Sequence, residues 1–371
     1  MSDTATPPVR LRADVLAVPA YRQGATPSKP GYKLSSNENP FDPLPGVAAA
    51  VAARVDHNRY AAAGMPDLRT AIGAEFGVGP ERVHLAAGSV AILFQLVHAA
   101  AAAGESYVFA WPSFEAYPSL GLANGARGVG VPLTAAAEHD LEAMAAAIDE
   151  STRVVLLCTP NNPTGPAIRR DAFDAFMARV PADTLVVLDE AYREFVTDPD
   201  AVRGEDVLAA HPNLVVLRTF SKAYGLAGLR IGTAVGHPAI LAAAASVGIP
   251  LSVTGVAEVA ARASLAPEAR AELADRIGEI VSRREELAAG LRRLGIDVPA
   301  AQGNFVWLPE RADAPGGIAS AAALAADFAE TGTLVRPFAG SGVRISVGEA
   351  ESIPVVIEIV REYLARQEGS K

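Results

Sequence analysis

Three short apolar runs, residues 154–158, 185–188 and 215–217, limit what this chain can fold into more than any other feature. Each is continuous rather than alternating, so each reads as a strand covered on both faces. Residues 171–180 carry helical spacing between the first two runs. Strands alternating with helices imply right-handed crossovers and a mostly parallel central sheet with helices on both faces, so the expected class is α/β. Such a sheet binds ligands beyond the carboxyl ends of its strands. The first run is followed by Thr159-Pro160-Asn161-Asn162-Pro163-Thr164-Gly165, the second by Asp189-Glu190-Ala191-Tyr192, and the third leads into Ser221-Lys222. An amide, a carboxylate, a phenol and an amine therefore converge on one edge.

The length of 371 residues suggests one large and one smaller domain. Residues 1–45, rich in Pro, Ser and Gly, read as an arm with a short helix near 11–18. Residues 46–255 are expected to form the large domain and 256–371 a smaller α+β one. Residues 267–294 carry Leu273, Ile277, Val281, Leu287, Leu291 and Leu294 near helical spacing, and so predict a long amphipathic helix leading into the latter. A second strong helix is expected over 90–103.

Half the residues are hydrophobic and a fifth are charged, as in a soluble globular protein. No run of about 18 apolar residues suggests a membrane span, and the first residues lack the layout of a signal peptide. Cys158 is the only cysteine, which excludes an internal disulfide and a thiolate cluster within one chain. The six histidines are scattered without ligand spacing, so no metal is expected, and His98 reads as structural within an apolar helix. A net charge of −10 argues against nonspecific nucleic-acid binding. These features together point to the cytoplasm.

A lone lysine in a turn is ordinarily a surface lysine. Lys222 differs by its company. Lysine amines condense with carbonyl compounds. Pyridoxal 5′-phosphate (PLP) needs such a lysine, together with a carboxylate that keeps its ring nitrogen protonated. Asp189 is placed for the second task, although it also suits a turn or helix cap. Tyr192 and Asn162 could donate to the cofactor's ring oxygen, while Asn162 could equally serve only its Pro-Gly turn. Gly88, Ser89 and Val90 open the helix expected over 90–103 with free amides suited to a phosphate, or form a simple capped start. Ser221 and Arg230 add a hydroxyl and a cation. No dinucleotide fingerprint or Walker-type loop is present.

Asn161-Asn162-Pro163-Thr164-Gly165, Asp189-Glu190-Ala191-Tyr192 and the run Ser221-Lys222-Ala223-Tyr224-Gly225-Leu226-Ala227-Gly228-Leu229-Arg230, in that order, resemble a fold-type I PLP-dependent aminotransferase. More narrowly, they resemble the histidinol-phosphate aminotransferase branch, which includes the actinobacterial aromatic-amino-acid aminotransferases. The resemblance runs from Lys33-Leu34-Ser35-Ser36-Asn37-Glu38-Asn39 to Val343-Arg344-Ile345-Ser346-Val347. It implies that Lys222 is the Schiff-base lysine and proton shuttle and that Asp189 faces the ring nitrogen, with Tyr192 and Asn162 on the ring oxygen. It further implies that Ser89, Ser221 and Arg230 hold the phosphate, helped by the backbone of Gly88 and Val90, and that Phe114 stacks on the ring. A homodimer follows, in which Tyr60 reaches the phosphate of the neighbouring subunit. Arg344 would grip the substrate carboxylate, with Asn304 nearby, and Tyr21 and Arg336 match the phosphate end of the histidinol-phosphate site.

Gly88-Ser89-Val90-Ala91 departs from the histidinol-phosphate pattern, which places acidic residues after the serine, and resembles the aromatic branch. The segments around Phe114, Asn304 and Arg336 resemble that branch too. The expectation is therefore transamination between an aromatic amino acid and 2-oxoglutarate. Histidinol phosphate is the alternative amino donor. A PLP decarboxylase of the same fold and a non-catalytic binding protein are more remote readings.

Overall fold

The computed structural model describes residues 9–18, 29–311 and 315–368. Seven strands form the main sheet: β1 (Val83–Ala86), β2 (Ser106–Trp111), β3 (Arg127–Pro132), β4 (Thr152–Cys158), β5 (Leu185–Asp189), β6 (Leu214–Thr219) and β7 (Gly232–Val235). Their order is β1-β7-β6-β5-β4-β2-β3. Strands β2 to β6 pair in parallel, while β7 runs against both β6 and β1. The three apolar runs are its centre, β4, β5 and β6.

Successive residues of these strands enter different cores, which explains why the runs are apolar throughout. Val155, Leu157, Val186, Leu188 and Val216 pack on one side with Phe173 and Phe176 of helix Arg170–Met177. Val154, Leu156, Val187, Val215 and Leu217 pack on the other with Ile92, Leu93 and Leu96 of helix Ser89–Ala100. Leu156 has no exposed surface, so Leu156→Ala would cost about 2–5 kcal/mol.

The helix expected over 90–103 starts one residue earlier and ends three earlier. Ala101 turns extended (φ −123°, ψ 148°) and Gly104 adopts φ +92°, an exit that a run of alanines does not mark. In the N-terminal arm the helical turn is Ala13–Leu16. No helix among the described residues is long and apolar enough to cross a membrane.

A second sheet has the order β8 (Phe305–Pro309), β10 (Gly342–Ser346), β9 (Arg336–Phe338), with antiparallel pairing. Val306, Leu308, Val343 and Ile345 form one face and pack in a separate core with Leu287 and Leu291. Alternation sends Phe305, Trp307, Phe338, Arg336 and Arg344 to the opposite face. The chain enters this region through Leu34, whose amide donates to the Leu334 carbonyl at 2.7 Å and whose carbonyl accepts from the Ser346 amide at 2.9 Å. Helix Pro267–Arg293 joins the two cores, with Leu273 in the first and Leu287 and Leu291 in the second.

Candidate active site

Parallel pairing fixes the three strand ends against one another. Asp189 sits in register with Cys158 of β4 and Leu217 of β6. The turns that follow open on the same edge, as the sheet topology requires.

Asp189 is 4% exposed. Burial pushes its carboxyl up to about 6, opposed by hydrogen bonds from the Tyr117 hydroxyl (3.0 Å) and the Ala191 amide (3.2 Å). Such a carboxylate is poorly compensated and favours a cationic partner. Lys222 is half-buried, and its amine donates to the carbonyls of Ser36 (3.1 Å) and Asn37 (3.4 Å). Burial, then the charge of Arg344, lowers its pKa to about 7, with Glu38 opposing and Arg230 assisting. An amine that is partly neutral near pH 7 is a nucleophile and a base.

Tyr192 lies 5.8 Å from the Lys222 amine, measured to its ring centre. Its hydroxyl accepts from Asn37 Nδ2 at 3.0 Å, which leaves the phenolic proton to be donated elsewhere. Burial holds that proton on, raising the pKa well above the ordinary value.

The two adjacent asparagines divide the alternatives left open by the sequence. Asn161 holds the turn: its carbonyl accepts from the Gly165 amide and its Nδ2 donates to Thr164 Oγ1, both at 2.8 Å. Asn162 Oδ1 instead accepts from Arg344 Nη1 at 2.5 Å, which orients its amide nitrogen away from the arginine. Arg344 also donates to the Ser35 carbonyl at 2.6 Å, and it lies 5.8 and 6.0 Å from the Phe305 and Phe338 rings.

A second group gathers at the start of helix Ser89–Ala100. Gly88 has φ +86°, and a Cβ there would meet Arg230 Nη2 at 2.4 Å. Gly232 of β7 backs onto the same spot, where a Cβ would meet the Ser89 amide nitrogen at 2.1 Å. Arg230, in a left-handed conformation at φ 57°, donates to Ser221 Oγ at 3.4 Å. The first-turn amides of Ser89 and Val90 have no side-chain cap. Amides, a hydroxyl and a guanidinium thus surround one point, an arrangement that binds dianions.

The remaining candidates are spread more widely. Phe114 packs edge-on against Tyr117, with ring centres 5.7 Å apart. Asn304 is fully buried and donates to the Asn37 carbonyl at 3.2 Å, while its Oδ1 accepts no hydrogen bond among the described residues. Arg336 is bound by Glu115. Tyr60 lies beyond helix Pro45–Ala53 and is 76% exposed. Tyr21 lies outside the described residues. His98 Nε2 donates to the Leu120 carbonyl at 3.1 Å.

Asn37 was not singled out by the sequence, yet it connects the site. It is fully buried at φ 52°, and its carbonyl accepts from Lys222 and Asn304. Its side chain joins Tyr192 to Ser346, whose Oγ donates to Asn37 Oδ1 at 2.8 Å. Asparagine tolerates left-handed backbone, so its place between Ser36 and Glu38 was the available signal. A buried ion cluster under the edge was also missed. Arg218 donates to Glu190 Oε2 at 3.1 and 3.0 Å and to Glu205, and Glu190 Oε1 accepts from the Gly204 amide at 2.7 Å.

Residues 29–360 match the family model for aminotransferase class I and II. An aromatic amino acid aminotransferase of Streptomyces coelicolor is 44% identical over 98% of this chain and 99% of its own. One from Nocardia farcinica is 47% identical over 92% and 93%. Among solved structures, histidinol-phosphate aminotransferase from Sinorhizobium meliloti in complex with pyridoxal-5′-phosphate superposes with a TM-score of 0.84 at 26% identity, covering 96% of this chain and 98% of that one. The chain belongs to the class I and II aminotransferases, a PLP-dependent family with the fold-type I architecture seen here. It is a transaminase that works on amino and keto acids.

Proposed function

We propose that this aminotransferase moves an amino group between an aromatic amino acid and 2-oxoglutarate. The observation that carries this reading is the site-facing side of the small sheet, where Arg344 shares a face with Phe305, Trp307 and Phe338. A guanidinium set among aromatic rings suits an aromatic amino acid: the fork takes the carboxylate and the rings take the side chain. The names of the Streptomyces and Nocardia relatives support it.

The residues present fit PLP. The space kept by Gly88 and Gly232 lets the Ser89 and Val90 amides, Ser221 and Arg230 close around a phosphate. Asp189 would face the ring nitrogen. Tyr192 and Asn162 would donate to the ring oxygen, and Phe114 would cover the ring. Bound there, PLP supplies an electron sink for negative charge at the substrate α-carbon. Lys222, with its lowered pKa, would hold the cofactor and then take the α-proton. Arg344 would fix the substrate carboxylate and thereby orient that proton toward Lys222. Asn304, with its buried acceptor, would line the substrate side.

Arg336 on the same face favours a second donor, histidinol phosphate, whose phosphate a second guanidinium would hold. Tyr21 would belong to that end. A comparison of kcat/KM for phenylalanine, tyrosine and histidinol phosphate with 2-oxoglutarate decides between them. We expect the aromatic values to be higher, and a hundredfold excess for histidinol phosphate would reverse the assignment.

The exposed Val55, Tyr60, Ile249 and Leu251 support a homodimer in which Tyr60 serves the neighbouring copy's phosphate. A cytoplasmic location accords with this soluble chemistry. Within the chain we keep the arm at 1–45 but move the large-to-small border from 255/256 into helix Pro267–Arg293. Ala257, Ala260, Ala261 and Leu273 pack in the first core, which supports that shift.

A further inference from the structure

Arg336 and Arg344 are directly opposite residues of β9 and β10, so their side chains leave the same face of the sheet. Arg344 turns toward Asn162, at the cofactor end. Arg336 turns toward the loop after β2. There its Nε donates to Glu115 Oε2 at 3.0 Å and its Nη2 to Glu115 Oε1 at 2.6 Å, a two-pronged ion pair. The side chains are 19% and 27% exposed, so water screens the pair only in part.

The residues two positions before and after Glu115 are tied to the cofactor-binding edge. Ser113 Oγ donates to Asn161 Oδ1 at 2.6 Å, and Tyr117 donates to Asp189. The loop that carries Glu115 is thus anchored to the cofactor-binding edge, while Arg336 belongs to the small sheet and alone holds the Glu115 carboxylate among the contacts described. The pair spans the space between them, beside the aromatic rings that share the face of Arg344.

We propose that Glu115 is a specificity-determining residue: it is a built-in counter-ion for Arg336, which a second anionic group on the substrate must displace and an aromatic side chain leaves in place. This rests on the substrate orientation given above, with the shared carboxylate on Arg344. A transaminase that pairs a neutral side chain with 2-oxoglutarate must take both in one pocket. An arginine without a counter-ion would favour the dianion. Glu115 offsets that bias. The diacid then binds by exchanging one carboxylate for another on the Arg336 guanidinium.

The test uses cofactor-loaded protein and two unreactive probes that differ only at the far end, glutarate and 3-phenylpropanoate, with dissociation constants measured by calorimetry. For Glu115→Gln the expected result is glutarate binding about tenfold tighter, ~1.4 kcal/mol, with 3-phenylpropanoate changed by less than about twofold. Equal shifts for both probes, or no shift for either, would overturn the proposal. If Glu115→Gln fails to retain cofactor absorbance, Glu115→Asp carries the test, since its carboxylate falls one methylene short. The ratio must still move toward glutarate, and an unchanged ratio overturns the idea. Because the probes bind without turnover, this outcome is independent of whether phenylalanine or histidinol phosphate proves the better donor.

Discussion

The two ends of the site are built differently. At the proposed cofactor end, Asp189, Tyr192 and Lys222 stand at or just past adjacent strand ends of one sheet, whose ladder sets their register. At the proposed substrate end, Arg344 reaches Asn162 and Arg336 reaches Glu115 across sequence separations of 182 and 221 residues, from one sheet to the loops of the other. The first end gains rigidity from backbone hydrogen bonds. The second depends on how two separately packed cores meet. On the function proposed above, the chemistry sits on the rigid element, and selection among substrates falls to a seam that a few side chains can retune.

The largest expected effect breaks the cofactor end alone. Lys222→Ala should lower kcat by at least about 10⁴-fold, while calorimetric binding of 3-phenylpropanoate to the cofactor-loaded variant persists. Turnover above a hundredth of wild type would remove Lys222 from its role. Arg344→Lys should act on the other end, reducing kcat/KM for phenylalanine about 10- to 100-fold through loss of the planar fork. Cofactor absorbance should stay unchanged; if cofactor affinity fell in parallel, the two ends would not be separable.

The smallest effect sharpens the contrast through pH. Burial lowers Lys222 to about 7, so its amine is charged below that value and neutral above it. Covalent uptake of cofactor by the empty protein, followed by stopped-flow absorbance, should rise close to tenfold from pH 5 to 6 and level off above 7. Asp189, raised to about 6, acts in the same direction, because below that pH it is neutral and offers no charge to the ring nitrogen. A rate flat from pH 5 to 8 would show that neither group governs uptake.

The convergence proposed as the cofactor end was legible because Asp189, Tyr192 and Lys222 each come just after an apolar run whose length and flanking turns read as a buried strand. The antiparallel course of β7 was not, since Gly232–Val235 carries the same apolar character whichever way it runs. The sequence singled out Asn162 but left it between the ring oxygen and its Pro-Gly turn, because the contact that bears on the choice, Arg344, lies 182 residues along the chain. Asn37 escaped for a similar reason. Its partners Tyr192, Ser346 and Asn304 lie 155 to 309 residues away. Glu115 was not singled out, because an acidic residue in a loop gives no hint of the arginine that meets it.

Arg284, on the helix shared by the two cores, has no exposed surface. Its guanidinium donates to the carbonyls of Phe195 and Gly303 at 2.8 and 3.2 Å and to Thr197 Oγ1 at 3.2 Å, so it ties the segment after Tyr192 to the residue preceding Asn304. Cutting the chain between the cores would strip one helix of half its apolar cover and leave a buried cation facing water-starved carbonyls. The stability of the two cores is therefore expected to be coupled through this helix.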